Sequence, residues 1–309
     1  MEKLDNWMEE DQSAEKDAAV KQSTWVSVAV NLGLTFTQVI AGLLSGSQGL
    51  VADGIHSLSD LLADFVVLLA AHHSQKEADD DHHYGHLRYE NAASMVLGLL
   101  LLTVGIGMVW AAVGKLTKPD AIAPVQQVAL WVALCALLVK EVLFRYMLAI
   151  GERVKSGMLV ANAWHARSDA ASSLVVAVGI GGNLLGLPLL DPIAALVVGI
   201  MVGRAGWSFT WEAIHDLTDR SATEEETESI RQEILATPGI LGLHELRTRK
   251  AGDLLLVDAH LEVNGQLSVR EGHDIAFEAR RRVMTQHPVL NMMTHVDPVD
   301  FVNGPAVRP

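Results

Sequence analysis

VADGIHSLSDLLADFVVLL, residues 51–69, has the length and apolarity of a membrane helix, yet it carries His56 and Asp60 four positions apart. Residues i and i+4 stack on one helix face, so imidazole and carboxylate point the same way. A carboxylate at mid-bilayer costs about 2.5–3.5 kcal/mol on insertion scales, and such residues face a cavity or a pathway. The phrase returns 109 positions later as VANAWHARSDAASSLVV, residues 160–176, with His165 and Asp169 in the matching places and Asn162 where the first copy has Asp53. Two helices of this kind supply two nitrogens and two oxygens, a four-coordinate set that zinc accepts without redox chemistry. A single His-Asp pair could simply bond a neighbouring helix; a repeated pair argues for ligands. Asp64 continues the His56–Asp60 face by a turn but is matched by Ser173, so it reads as an accessory or vestibule carboxylate. Asp53 and Asn162 read as helix-end or inter-helix hydrogen bonders, and Asn31 as a candidate cavity residue.

Composition agrees with a membrane protein. The 309 residues are 50% hydrophobic and the net charge is -14. The acids concentrate in the first twenty or so residues, at Asp79–Asp81 and after Asp216. That argues against nucleic acid, which needs a basic face. Cys135 is the single cysteine and lies in an apolar run, which excludes a disulfide framework and a thiolate zinc site within one chain. Residues 1–22 are acidic, lack the order of a signal peptide, and read as a cytoplasmic tail or a short surface helix.

Hydropathy predicts six transmembrane helices over residues 23–215: about Trp25–Leu44, Leu50–Ala71, Ala93–Val113, Val128–Ala149, Met158–Leu185 and Ile193–Trp207. Lys140 and Glu141 fall inside the fourth and should face the bundle interior. Arg204 should snorkel to the surface. Lys76, Arg88, Arg145, Arg153 and Lys155 flank the loops after spans two and four, against Lys115 and Lys118 after span three. This excess places both termini in the cytoplasm.

Residues 216–309 read as a small cytoplasmic α+β domain of order αββαβ, with its helices on one sheet face. Ser221 and Glu224 form a capping box for the first helix, and Ser268 and Glu271 one for the second. LHELRTRK and LLLVDAHLEV read as a hairpin and VLNMMTHVD as the last strand. Metal-competent residues accumulate here: His244, His260 on the polar face of its strand, His273, and His295 with Asp297 on one face of the last strand. In DDDHHYGH, residues 79–86, a helical turn would bring Asp79, His82 and His86 to one ion. His215 and His287 have no neighbouring partner in the sequence and read as structural or solvated.

Taken together, the paired HxxxD helices, the DDDHHYGH loop and the histidine-bearing terminal domain resemble the cation diffusion facilitators, nearest to the bacterial ferrous-iron/zinc efflux branch. The resemblance implies a ferredoxin-like, metallochaperone-like soluble domain and a homodimer of six-helix protomers in the bacterial inner membrane. It also implies export of a divalent cation in exchange for protons by alternating access. It assigns His56, Asp60, His165 and Asp169 to transport, and Asp79, His82 and His86 to a loop site. His244, His260, His273, His295 and Asp297 fall to a regulatory site between two soluble domains, with His260 as the bridge. Arg88 and Asp219 stand where the family has a charge interlock, with Arg for the usual Lys. His56 stands where that branch has Asp, which favours Zn2+ over Cd2+, Fe2+, Mn2+, Co2+ or Ni2+. A non-transporting metal scaffold or sensor is the alternative. An intramembrane metallohydrolase is disfavoured, because no HExxH motif or positioned general base is present.

Overall fold

The computed structural model describes residues 2–74, 76, 78–118, 122, 124–154, 157–252 and 254–300, with side chains from residue 21 onward except at 64, 67, 68, 71, 72, 157, 158 and 161. Asp64 and Lys155, named above for the vestibule and the charge bias, therefore lie outside the described side chains. Among the described residues the long helices are α1 (Glu2–Ser45), α2 (Gln48–Ser74), α3 (Arg88–Leu116), α4 (Gln127–Arg153), α5 (Gly157–Leu184) and α6 (Leu190–Leu217). They precede α7 (Glu224–Leu235), β1 (Gly242–Ala251), β2 (Leu254–Asn264), α8 (Val269–Gln286) and β3 (Val289–Val299).

The acidic N-terminal stretch, expected as a tail or a short surface helix, is helical from Glu2 and runs without a break into the first long helix. The reason is local: residues 2–22 are rich in Glu, Lys and Ala and contain neither Gly nor Pro. Among the described residues, four helices are long and apolar enough to cross a membrane: Lys21–Ser45, Arg88–Leu116, Gln127–Arg153 and Leu190–Leu217. The other two, α2 and α5, carry the repeated His-Asp pairs.

The chain divides into two compact units. The first comprises Met1–Val66 and Leu97–Phe209. Its core joins Leu50 and Ala52 of α2, Leu97 and Leu101 of α3, Ala129 and Ala133 of α4, Val176 and Ile180 of α5, and Val198 and Val202 of α6. α3 and α6 approach closely because Gly105 and Gly203 meet backbone to backbone, where a Cβ would collide. Asp191, at the start of α6, caps α2: its carboxylate accepts from Ser47 Oγ (2.5 Å), Gln48 N (2.8 Å) and Gly49 N (3.3 Å). Glu141 does not share the interior with Lys140. Successive helical residues diverge by about 100°, so Lys140 is buried while Glu141 pairs with the exposed Arg145 at 2.8 Å.

The second unit comprises Val67–Val96 and Thr210–Pro309. Its sheet has the order β1-β2-β3, with β1 antiparallel and β3 parallel to β2. Leu255, Val257, Ala259, Leu261 and Met292 point to one face and bury Ile230 and Ile234 of α7 and Ala276, Ala279 and Val283 of α8. The α8 capping box forms as expected at Ser268–Glu271. For α7 the cap is Thr223, paired with Glu226, and not Ser221. Starting at Thr223 places Glu224, Glu225 and Glu226 together in the first turn, where the helix dipole favours acids.

Candidate metal centres

In the first unit, His56, Asp60 and Asp169 each offer a ligand atom within 4.8 Å of the others. His56 Nδ1 lies 3.4 Å from Asp60 Oδ2, and its Nε2 lies 4.0 Å from Asp169 Oδ1. Tetrahedral ligands at zinc distances stand about 3.4 Å apart, so these approaches are of the right order for one shared ion. The carboxylates come from α2 and α5, which run antiparallel: as the chain steps back from His56 to Asp53, the facing residue steps forward from Asp169 to Ser172 and Ser173. His165, the fourth expected ligand, stands at the margin. Its Nε2 is 4.0 Å from Asp169 Oδ2 and its side chain is 65% exposed. Asn31 does not point into this group; its amide donates to Ser27 Oγ on its own helix at 3.4 Å. Asn162 is exposed.

In the second unit, Asp79, His82 and His86 also converge within 4.8 Å. They do so without the helical turn expected above. The segment is an irregular loop in which Asp79 and His82 exchange backbone hydrogen bonds at 3.2 and 3.3 Å. Asp79 Oδ1 lies 3.3 Å from His82 Nδ1, and Oδ2 lies 3.5 Å from His86 Nε2. Lys76 Nζ donates to that same Oδ2 at 2.6 Å. The Lys76 ammonium, helped by the His82 backbone and ring, holds the Asp79 carboxyl well below the usual carboxylate range. Beside the loop, Arg88 binds the Asp219 carboxylate and the Leu217 carbonyl, so the expected Arg-Asp pair does form.

The strand register organises the remaining histidines. His244 pairs with His260 and His260 with His295, while Gly242 pairs with Glu262 and Glu262 with Asp297. Two adjacent rungs therefore lie on the sheet face opposite the helices, because alternate strand residues share a face. His260 Nδ1 is 3.0 Å and His244 Nε2 is 3.4 Å from Asp297 Oδ2, and those three residues form a ligand-competent group. His295 Nε2 is 3.3 Å from Asp297 Oδ1, with its ring 4.8 Å from that of His260. His273 is not part of this group; it is exposed on α8, whose packed face covers the other side of the sheet. The imidazole and carboxylate donors fit a borderline ion such as zinc. His215 is not isolated, for its ring contacts Trp211 at 4.6 Å, and His287 is the C-cap of α8.

Residues 24–218 match the cation efflux transmembrane domain and residues 222–299 the cytoplasmic domain of cation efflux proteins. The chain belongs to the cation diffusion facilitator family. Among similar members, metal tolerance protein C1 of Arabidopsis thaliana is 35% identical over 288 residues, covering 88% of this chain and 61% of that protein. The chain thus spans less than two thirds of that relative's length. The magnetosome protein MamB of Paramagnetospirillum magneticum is 32% identical over 268 residues, covering 87% of this chain and 90% of the relative. The manganese efflux system protein MneS of Bacillus subtilis is 30% identical over 275 residues, with 89% and 94% covered.

Two participants escaped the sequence reading of this facilitator. Glu262 stands 3.2 Å from His244 Nδ1, and Gly242 makes room for its carboxylate, since a Cβ there would strike it. The signal was available: Glu262 lies two residues after His260, hence on the same face. Lys76, expected only as a topogenic charge, reaches the loop cluster because it lies three residues before Asp79.

Proposed function

We propose that this chain exports a divalent cation, Zn2+ foremost, from the cytoplasm in exchange for protons, working as a homodimer in a bacterial inner membrane. In this reading α2 and α5 complete a six-span bundle with their polar faces turned inward and both termini in the cytoplasm. The observation that carries it is the meeting of His56, Asp60 and Asp169, from two antiparallel helices, within 4.8 Å of one another. His165, one turn before Asp169, completes the four-ligand set by a side-chain rotation. Two imidazoles and two carboxylates favour zinc, while Mn2+, Fe2+, Cd2+, Co2+ and Ni2+ are the competitors to be tested.

The coupling follows from the ligands. Metal and protons compete for the same lone pairs on the imidazoles and carboxylates. Metal bound at cytoplasmic pH is released where a more acidic face protonates its ligands. Rocking of helices around a fixed midplane site then alternates its exposure. Asp79, His82 and His86 serve as a loading point beside the membrane. The His244–His260–His295 rung with Asp297 senses cytoplasmic metal, and it biases transport only through different affinity in the two conformations.

The test is metal uptake into proteoliposomes carrying a pH gradient, comparing wild type with Asp60→Ala and Asp169→Ala for zinc, cadmium, manganese and iron(II). Loss of zinc uptake in both variants is expected. Zinc uptake that survives both substitutions would remove the site assignment, and binding without flux in wild type would leave a scaffold or sensor.

A further inference from the structure

Three residues before His56, Asp53 is fully buried. One of its oxygens accepts from Gln38 Nε2 at 2.5 Å and Ser173 Oγ at 2.6 Å; the other accepts from Ser172 Oγ at 3.0 Å. Lys140 Nζ lies 3.6 Å from Asp53, donates to Ser173 Oγ at 2.8 Å, and reaches the Asp169 carbonyl at 3.4 Å. Four helices, α1, α2, α4 and α5, are tied together at this level by groups outside the ligand quartet.

The position of the knot relative to the quartet follows from the antiparallel pairing. Asp53, Ser172 and Ser173 lie one turn from His56 and Asp169, toward the α1–α2 and α5–α6 turns. Those turns share one end of the unit, since Asp191 of α6 binds Ser47 and the first amides of α2. Exposure changes sharply across the level. Side chains of His56, Asp169, Asp60 and His165 are 12, 17, 29 and 65% exposed. Gln38, Asp53, Ser172 and Ser173 are at 0% and Lys140 at 2%.

We propose that Lys140, clamped by Asp53, closes the ion route at the turn end of the quartet. In this conformation a cation reaches His56, Asp60, His165 and Asp169 from the opposite end alone. It leaves at the turn end only after the Asp53–Lys140 contact opens. The physics is twofold. An ammonium fixed in a low-dielectric interior repels a dication attempting to pass. It also cannot withdraw alone, because separating a buried ion pair strands both charges. Lys140 is a positioning residue and not a ligand; its bond to the Asp169 carbonyl makes its state felt at the site.

The inference rests on the transport reading, but its main test does not need transport. In full-length protein with Cys135→Ser, a thiol is introduced by His56→Cys, and a charged, impermeant thiol reagent is applied from the side bearing the α5–α6 turn. A separate Leu185→Cys reporter, at an 86% exposed position, fixes the sidedness. With Lys140 and Asp53 intact, labelling from this side should be slow. In Lys140→Met/Asp53→Asn, where no charge is stranded, it should accelerate about tenfold or more. Lys140→Arg should keep it slow. Ser173→Ala, which removes the hydroxyl shared by both partners and spares the charges, should give a smaller acceleration and decides the matter if the double variant does not fold. Labelling from the turn side that is unchanged in the folded double variant, or in Ser173→Ala when that variant alone folds, overturns the proposal. In proteoliposomes the double variant should leak zinc without a pH gradient. A wild type that moves no zinc at all would sink the transport reading while leaving the labelling result to judge the barrier.

Discussion

Replacing Glu262 by Ala should weaken metal binding on the sheet face without unfolding the domain. Glu262 holds one side of His244 while the other nitrogen of that ring faces Asp297 at 3.4 Å, so the carboxylate is placed to orient a ligand and not to be one. Outer-shell partners of metal-bound histidines contribute about 10–100-fold in affinity. The approach here is an ion-pair distance of 3.2 Å, and His244 Nδ1 has no aligned hydrogen bond. The effect should therefore fall at the low end, about tenfold, or about 1.4 kcal/mol. Glu262→Gln keeps an acceptor without the charge and should lose less. The assay is chelator-competition titration with Zn2+ on full-length protein carrying Asp60→Ala and Asp169→Ala, which silences the group on α2 and α5. Thermal unfolding of the metal-free variants checks the fold. An affinity for Glu262→Ala within twofold of its parent (about 0.4 kcal/mol) would refute the orienting role.

Other outcomes follow from the same geometry. Asp191→Ala strips the cap of α2 and leaves buried amides and a hydroxyl unpaired, which should cost about 3 kcal/mol in a detergent unfolding titration; Asp191→Asn should recover part of it. Asp79 is held ionised by Lys76, so its contribution to loop stability is complete above the ordinary carboxylate range and is lost only as pH falls through the lowered value. Carbonyl chemical shifts across an acid titration should show this, and Lys76→Met should return Asp79 toward ordinary behaviour. Because Lys76 occupies the Asp79 oxygen nearest His86, the same substitution should also tighten zinc binding at the loop.

What could be read from the sequence depended on whether one periodicity sufficed. The His56–Asp60 and His165–Asp169 pairs needed only the helical repeat, and the duplication aligned them. The polar sheet face needed only alternation along each strand, which put His260 opposite Val257, Ala259 and Leu261. Anything that required register between segments was hidden. Glu262 gains meaning only when β1 and β2 are paired so that Gly242 lies beside it. Lys140 and Glu141 were indistinguishable until α4 acquired a rotational phase. Thr223 and Ser221 both satisfy the capping pattern, and the choice between them is made by where the acids fall in the first turn. The Asp79 loop lacks any regular period, so its convergence could be expected but not its conformation.

The two halves of the internal repeat are unequal in a way that bears on direction. Duplication supplied two His-Asp pairs, which is what chelation requires. If the surroundings had been duplicated as well, the site would be equally sealed or equally open at both ends, and nothing would distinguish loading from release. The differences fall at particular positions. Asp53 is matched by Asn162 in the second copy, and of these two it is Asp53 that faces the buried Lys140. His56 is enclosed between two carboxylates, whereas its counterpart His165 is largely exposed. Lys140 comes from α4, outside the repeated phrase, and its ammonium reaches the backbone of one ligand, Asp169, from one end. On this view the shared residues make a place for a cation, and the unshared ones give that place a closed side and an open side. If transport proceeds by the proposed alternating access, exchanging which side is closed requires parting Asp53 from Lys140, a separation of buried charges that contributes to its energetic cost.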